Sequence, residues 1–343
     1  MSAKAPRVFF REAIARAIAE AMRADPRVIV LGQDVGAFGG AYREFEGLYA
    51  EFGGARVRDT PVAEAAIMGI GVGAAAAGYR TLVSITYMDF VMLALDPLVN
   101  YAAKLRFKTA GRLTAPVVLK TTAGARGQGV AHSQCLESWL MSVPGLTVVA
   151  PSNPADAYGL MRSALRADGP VVFVDHKRLY PIPGNAPASD VPVPFGQARI
   201  ARPGTDITIT AHSFMVQVAL TAADALAKEG LSVEVVDLRS LAPLDIDTIA
   251  ASVSRTGALL TVEEGQLTCG VGAEVAARLR ERQGGLNVAR VGAIAAPVSS
   301  NHVLEAAAIP DVERVAQGVR ALLRARESGH PNSVCSGGGP GAV

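Results

Sequence analysis

Asp59-Thr60-Pro61-Val62-Ala63-Glu64-Ala65-Ala66-Ile67-Met68-Gly69-Ile70-Gly71-Val72-Gly73-Ala74 is the stretch on which the reading of this chain turns. Its glycines imitate the GxGxxA fingerprint of a dinucleotide site. A working fingerprint occupies the turn between a strand and a helix, where backbone N–H groups face a phosphate. Here Thr60 stands as a helix cap and Pro61 fits the first turn, so the helix has begun before the glycines arrive. Inside a helix each glycine costs about 1 kcal/mol relative to alanine. What glycine permits in return is close approach by a neighbouring backbone. The segment therefore predicts a packing helix and argues against a nicotinamide site. Glu64 falls in its first turn. Two readings of it stay open: a surface carboxylate favoured by the helix dipole, or a partly buried carboxyl that shares a proton with a ligand heteroatom. Spacing alone favours the first.

Outward from this segment, short apolar runs alternate with helical patterns. Ala13, Ile14, Ala17, Ile18, Ala21 and Met22 recur at helical spacing, and Asp25-Pro26 stops that helix. Val28–Leu31, 81–86, 116–119, 146–150 and 171–174 read as buried strands, with a helix over 154–167 before the last of them. After the proline-rich stretch from Tyr180 to Pro194, strands are expected at 207–210, 233–237, 258–262 and 288–291. Helices are expected at 216–228, 245–255, 272–282 and 311–326. Alternation of this kind specifies an α/β chain with mainly parallel sheets covered on both faces. The expected layout is a first domain over 1–185, a linker over 186–197, a second domain over 198–326 and a flexible tail over 327–343.

Composition narrows the function classes. The chain has 343 residues, a size that suits two domains, and half of them are hydrophobic. A net charge of +2 with 19 % charged residues gives no basic stripe for nucleic acid. Cys135, Cys269 and Cys335 lie far apart without a CxxC pair, which excludes a disulfide framework and fits a reducing compartment. No apolar run reaches the ~20 residues that span a bilayer. Met1 to Arg7 leaves little room for a targeting segment, so a soluble, cytoplasmic protein is expected.

His132 lies in the glycine-bearing stretch Gly127-Gln128-Gly129-Val130-Ala131-His132-Ser133-Gln134, a loop of the kind that carries function on α/β scaffolds. No HxxxH or HExxH spacing builds a metal site, and neither Ser133 nor Ser213 sits in a GxSxG elbow. There is no GxxxxGK[ST], and no Gly-Asp-Gly followed at a distance by asparagine, the usual metal motif of thiamine diphosphate sites. If the chain serves a thiamine enzyme, the diphosphate sits on another chain.

Taken in order, several segments resemble the beta subunit of the decarboxylating component of 2-oxoacid dehydrogenase complexes, of pyruvate, branched-chain 2-oxoacid and acetoin dehydrogenase type, within the transketolase-like superfamily. They are Leu31-Gly32-Gln33-Asp34-Val35, Asp59 to Glu64, His132-Ser133-Gln134, Pro144-Gly145-Leu146, Asp168-Gly169-Pro170-Val171, and Val236 to Asp245. The resemblance implies a thiamine pyrimidine-binding domain followed by a transketolase C-terminal-like domain. It implies an α2β2 heterotetramer with an alpha subunit that holds most of the diphosphate and Mg2+, and a lipoyl acyltransferase as downstream partner. Glu64 matches the glutamate that hydrogen-bonds the aminopyrimidine and favours its imino tautomer, which removes the thiazolium proton. Phe90 matches the aromatic that packs on the pyrimidine, and His132 the histidine near the incoming acceptor. Gln33 stands at the cofactor edge where the family usually has an acidic residue of a proton relay between paired sites; Asp96 matches another member of that relay. A potassium ion on the backbone of Ala164, Ala167 and Gly169 is a further expectation that no side chain specifies.

The chain departs from the family pattern at three places, and those at Gln33 and before His132 bear on the acceptor. Glutamine at 33 hydrogen-bonds but cannot shuttle a proton as a carboxyl does. Lys120-Thr121-Thr122-Ala123-Gly124 replaces the usual Arg-x-Pro-x-Gly, and Ser299-Ser300-Asn301-His302 lacks an aromatic residue. The leading expectation is an oxidoreductase subunit that decarboxylates a 2-oxoacid and passes the acyl group to a lipoyl carrier. A carboligase that uses a small aldehyde, ketone or acyl thioester as acceptor is the alternative, and a non-catalytic scaffold subunit is a remote one.

Overall fold

Seven strands build the first sheet, in the order Ser240–Ala242, Thr147–Val149, Val171–His176, Val117–Ala123, Arg80–Tyr87, Val28–Gly32 and Val57–Asp59. All neighbours run parallel except the edge strand Ser240–Ala242. The structure, a computed structural model, describes residues 7–185 and 191–328. Residues 186–190 of the expected linker and 329–343 of the expected tail lie outside the described residues.

The interior strands are buried along their whole length, as a sheet covered on two faces requires: Val28–Gly32, Val117–Ala123 and Val171–His176 each lack an exposed residue. Helix Phe10–Ala24 places Phe10, Ile14, Ile18 and Met22 on its buried stripe and packs on helix Pro154–Arg166. Full burial of such side chains stabilises by roughly 1.5–3 kcal/mol each. The Tyr158 hydroxyl donates to Glu20 across this helix pair. Asn153 caps the second helix, its Oδ1 accepting from the Asp156 N–H at 3.0 Å.

The second unit has a five-stranded sheet in the order Asn287–Ala293, Ala258–Gln266, Ile207–Ala211, Val233–Asp237 and Arg199–Arg202, parallel except at the Arg199 edge. Ile207, Ile209, Val233, Val235, Leu260 and Val262 form its core with Ala219, Ala222, Val319 and Leu322 from helices Met215–Ala227 and Val312–Glu327. Asp245 and Asp311 cap helices Ile246–Thr256 and Val312–Glu327 with their side chains. Residues 125–138 and 196–239 group with this unit, as does everything described from Leu244 onward; the first unit takes the remainder, including 240–243. Among the described residues no helix is long and apolar enough to cross a membrane.

The decisive segment is a helix, but it starts later than its sequence suggests. It spans Glu64–Ala76 with Ala63 as N-cap and no side-chain cap. Thr60 is drawn into the sheet instead: its N–H donates to the Gly32 carbonyl at 3.0 Å, continuing the exit of strand Val57–Asp59. Of the three glycines only Gly71 is needed for close packing, since a Cβ there would lie 2.3 Å from Val83 Cγ2, whereas Gly69 and Gly73 face open space. Gly71→Ala is expected to destabilise the chain by about 1–3 kcal/mol through overpacking. Gly73→Ala should be neutral or gain up to about 1 kcal/mol from helix propensity. Urea unfolding of the two variants checks this pair.

Candidate active site

In a parallel sheet, ligands gather beyond the carboxyl ends of the strands. Three neighbouring strands bring three of the sequence-predicted residues to that edge. Gln33 follows Val28–Gly32, Glu64 follows Val57–Asp59 after a four-residue link, and Phe90 follows Arg80–Tyr87 in the 3-10 turn Met88–Ala94. That turn packs against the Glu64 helix. The structure thus places Glu64, Gln33 and Phe90 on one edge of one sheet.

Glu64 is half-buried, and its carboxylate makes no hydrogen bond or ion pair among the described residues. Thr60, just before it, has a buried hydroxyl that likewise lacks a partner. The helix behind Glu64 has no polar face at all. Ile67, Met68, Val72 and Ala75 are buried, while Ala65, Ala66, Gly69, Gly73 and Ala76 are exposed beside Ile70, which is 60 % exposed. An acid group without a partner at the positive end of an apolar helix is chemically suited to a nitrogen heterocycle that offers a donor. The residues present therefore fit a pyrimidine ring.

Gln33 is half-buried and its amide donates to Asp34 Oδ2 at 3.4 Å. Asp96 is exposed and accepts from Asn100 Nδ2 at 2.8 Å; Asn100 in turn accepts from Lys104, a ladder along one side of the 96–108 helical stretch. His132 is half-buried and its N–H donates to the Gly129 carbonyl at 3.2 Å. His132 belongs to the second unit, whereas Glu64, Gln33, Phe90 and Asp96 belong to the first. Two of the three carbonyls expected for potassium accept hydrogen bonds: that of Ala164 from the Ala167 N–H at 3.2 Å, and that of Ala167 from Arg80 Nη1 at 2.8 Å. Arg80 also pairs with Asp168 at 2.8 Å, so a fixed guanidinium already supplies positive charge at this turn.

Two buried polar groupings carry weight that the sequence reading missed. In the first unit, Lys120 is fully buried, with Nζ 2.8 Å from Glu44 Oε1, 3.0 Å from Asp175 Oδ2 and 2.9 Å from Tyr180 Oη. Burial disfavours the ammonium, but Asp175 and Glu44 more than offset it and hold Lys120 above its ordinary pKa. Glu44 Oε2 also accepts from the Tyr42 N–H at 2.9 Å, and Tyr42 stacks on Tyr180 at 4.8 Å. The cluster thereby fixes the loop that leaves Gln33. Its signal in the sequence is a lysine in the middle of an otherwise uncharged, fully buried strand, Val117–Ala123.

In the second unit, strand Ala258–Gln266 ends on two consecutive buried carboxyls. Glu263 accepts from the N–H groups of Val271 and Gly272 at 2.9 and 3.0 Å, and Glu264 from that of Ala125 at 2.7 Å. Burial pushes Glu137 up to about 8, reinforced by Glu264 and Glu263. Burial raises Glu263 to about 7, opposed by its two backbone donors.

The chain matches the transketolase pyrimidine binding domain over residues 7–183 and the transketolase C-terminal domain over 196–315. It is 44 % identical over 334 residues to a pyruvate dehydrogenase E1 component subunit beta-1, mitochondrial, of Arabidopsis thaliana, covering 94 % of this chain and 91 % of that one. The chain belongs to the transketolase-like family of 2-oxoacid dehydrogenase E1 beta subunits. A second relative is the beta subunit of an acetoin:2,6-dichlorophenolindophenol oxidoreductase of Cupriavidus necator, 38 % identical over 91 % of this chain and 96 % of that one. Among solved structures, a split gene transketolase described as an inactive beta4 tetramer shares the fold. Its TM-score is 0.75 at 23 % identity, over 92 % of this chain and 98 % of that one. Both relatives are beta subunits, one of a pyruvate dehydrogenase E1 component and one of an oxidoreductase.

The buried acids of the second unit set a pH dependence. A carboxyl raised from 4.5 to about 8 keeps its proton in the folded chain and loses it on unfolding over the window between. The folded state then binds more protons, so stability falls as pH rises from about 5 to 8. Glu137→Gln removes that penalty. Its melting temperature relative to the parent chain is expected to be higher at pH 8 than at pH 5, by an amount on the order of a kcal/mol or more in stability. Thermal melts at the two pH values check this.

Proposed function

We propose that this chain is the pyrimidine-activating half of a thiamine diphosphate-dependent 2-oxoacid dehydrogenase. It would decarboxylate a 2-oxoacid together with an alpha chain and deliver the acyl group to a lipoyl carrier. The observation that carries this reading is the unpartnered, half-buried carboxyl of Glu64 at the carboxyl edge of the sheet, in a family whose first domain binds pyrimidine. The cofactor, when bound, supplies the carbon nucleophile and the electron sink. The task of the chain is to orient the pyrimidine and control its protonation. Glu64 accepts from or shares a proton with a ring nitrogen, Phe90 packs on the ring, and Gln33 hydrogen-bonds at the same edge. His132 donates a proton on the acceptor side. Asp96, exposed on this chain, belongs to the relay only once a second chain covers it.

The diphosphate and Mg2+ are assigned to the alpha chain, because this sequence has no phosphate cradle and no Gly-Asp-Gly motif. An α2β2 assembly follows from the same division of labour. The open apolar face of the Glu64 helix is consistent with it, since a helix apolar on all sides is normally covered. Potassium at Ala164, Ala167 and Gly169 gains no support from the Arg80 pairing, which satisfies the Ala167 carbonyl. A cytoplasmic location and a lipoyl acyltransferase partner complete the proposal. Acceptor choice separates the dehydrogenase from the carboligase. Strict dependence of turnover on a lipoyl acceptor supports the first, and turnover with aldehydes or ketones alone supports the second.

Glu64→Gln and Glu64→Ala in the reconstituted complex are expected to lower kcat for decarboxylation by ~100-fold or more, the scale of a lost general acid–base partner. Unchanged kcat would remove Glu64 from the chemistry and favour the scaffold reading.

A further inference from the structure

The His132 loop is pinned to the second unit at successive points, and two of the pins are buried carboxylates. Glu264, at the end of strand Ala258–Gln266, accepts from the Ala125 N–H at 2.7 Å. Glu305, in the short helix His302–Ala308, accepts from the Gly127 N–H at 2.6 Å. Gly129, at φ +76, lies so close to Ser300 that a Cβ would sit 3.2 Å from the serine Cβ. Beyond His132, the chain returns past the same strand end, where a Cβ on Gly265 would lie 3.2 Å from the Cys135 carbonyl. His132 therefore hangs between two anchored stretches, 125–129 and 135, and its own N–H closes a turn onto Gly129.

Both carboxyls are nearly inaccessible, at 7 % and 6 % for Glu264 and Glu305. Carboxylates buried to this degree are uncommon unless they are well bonded. Each accepts a backbone N–H at a short distance, 2.7 and 2.6 Å. Two such bonds two residues apart remove most of the freedom of a glycine-bearing loop that would otherwise sample many conformations.

We propose that Glu264 and Glu305 are positioning residues for the acyl-acceptor step. They hold the backbone of 125–129 so that the His132 imidazole is fixed at the place where the departing sulfur of a disulfide acceptor takes its proton. The inference rests on the dehydrogenase reading given above. In that step the acyl carbon, carrying the electron pair left by carbon dioxide, bonds one sulfur of the acceptor. The sulfur–sulfur bond breaks, its electron pair goes to the second sulfur, and His132 protonates that sulfur. The hydroxyl on the acyl carbon then loses its proton and the bond to the carrier carbon breaks, its pair returning to the carrier, which frees the acyl thioester. Decarboxylation precedes this transfer and does not use the imidazole.

The two half-reactions separate experimentally in the complex of this chain with its alpha partner. Oxidation of the 2-oxoacid with 2,6-dichlorophenolindophenol reports decarboxylation without a sulfur acceptor, and acyl transfer to lipoamide reports the full step. Glu264→Ala and Glu305→Ala are expected to lower kcat for lipoamide ~10–100-fold, the range for a displaced proton donor, and the dye reaction less than about threefold. His132→Ala lowers kcat for lipoamide at least as far. Glu305→Gln, which keeps an acceptor oxygen, restores most of the transfer, and Glu305→Asp, one methylene short of Gly127, does not. Amide exchange over 125–130 rises in the Ala and Asp variants. Equal losses in both assays, or lipoamide transfer that survives both Ala variants while His132→Ala abolishes it, would overturn the proposal alone. A parent complex that oxidises the 2-oxoacid with dye yet never acylates lipoamide would overturn the dehydrogenase reading and this proposal with it.

Discussion

A half-buried carboxylate without a hydrogen-bond partner in its own chain is favoured there only by the helix N-terminus. Glu64 is in that state, and it opens a helix with no polar face. In the reading proposed above, a ring that offers a donor would complete the carboxyl and a partner surface would cover the helix. The rest of the first unit serves that arrangement. Strand Val57–Asp59 delivers the chain to the sheet edge, the Thr60 N–H holds the exit onto Gly32, and Gly71 lets the helix lie on Val83. The buried Lys120 cluster then secures the loop beyond Gln33, the neighbouring position on that edge.

The second unit meets a related problem with a different device. Its acids are buried but bonded: Glu263 to the start of helix Val271–Gln283, Glu264 and Glu305 to the His132 loop. Where Glu64 has no bond within its own chain among the described residues, these carboxyls accept from backbone N–H groups. In the reading proposed above, the contrast separates a group kept for chemistry from groups kept for position.

Much of the fold was legible because buried parallel strands leave uninterrupted apolar runs, and Val28–Gly32, Ile207–Ala211 and Val233–Asp237 lie where those runs predict. The antiparallel edges Arg199–Arg202 and Ser240–Ala242 were not, because short strands in mixed surroundings have no distinct period. The helix start was misplaced by three residues because Thr60 and Pro61 carry capping chemistry that the sheet claims first. At the site, spacing favoured the bland reading of Glu64, and only the ordered set of segments raised it. The Glu264 and Glu305 bonds to loop backbone were illegible, since they join residues 139 and 178 positions apart.

The most direct measure of the central claim is the exchange rate of the thiazolium C2 proton in the cofactor-loaded complex, compared between the parent chain and Glu64→Gln. If Glu64 sets the protonation state of the pyrimidine, exchange in the variant slows by ~100-fold or more while the cofactor remains bound. An exchange rate equal to that of the parent would contradict the account, because the carboxyl would then contribute nothing to removing the proton.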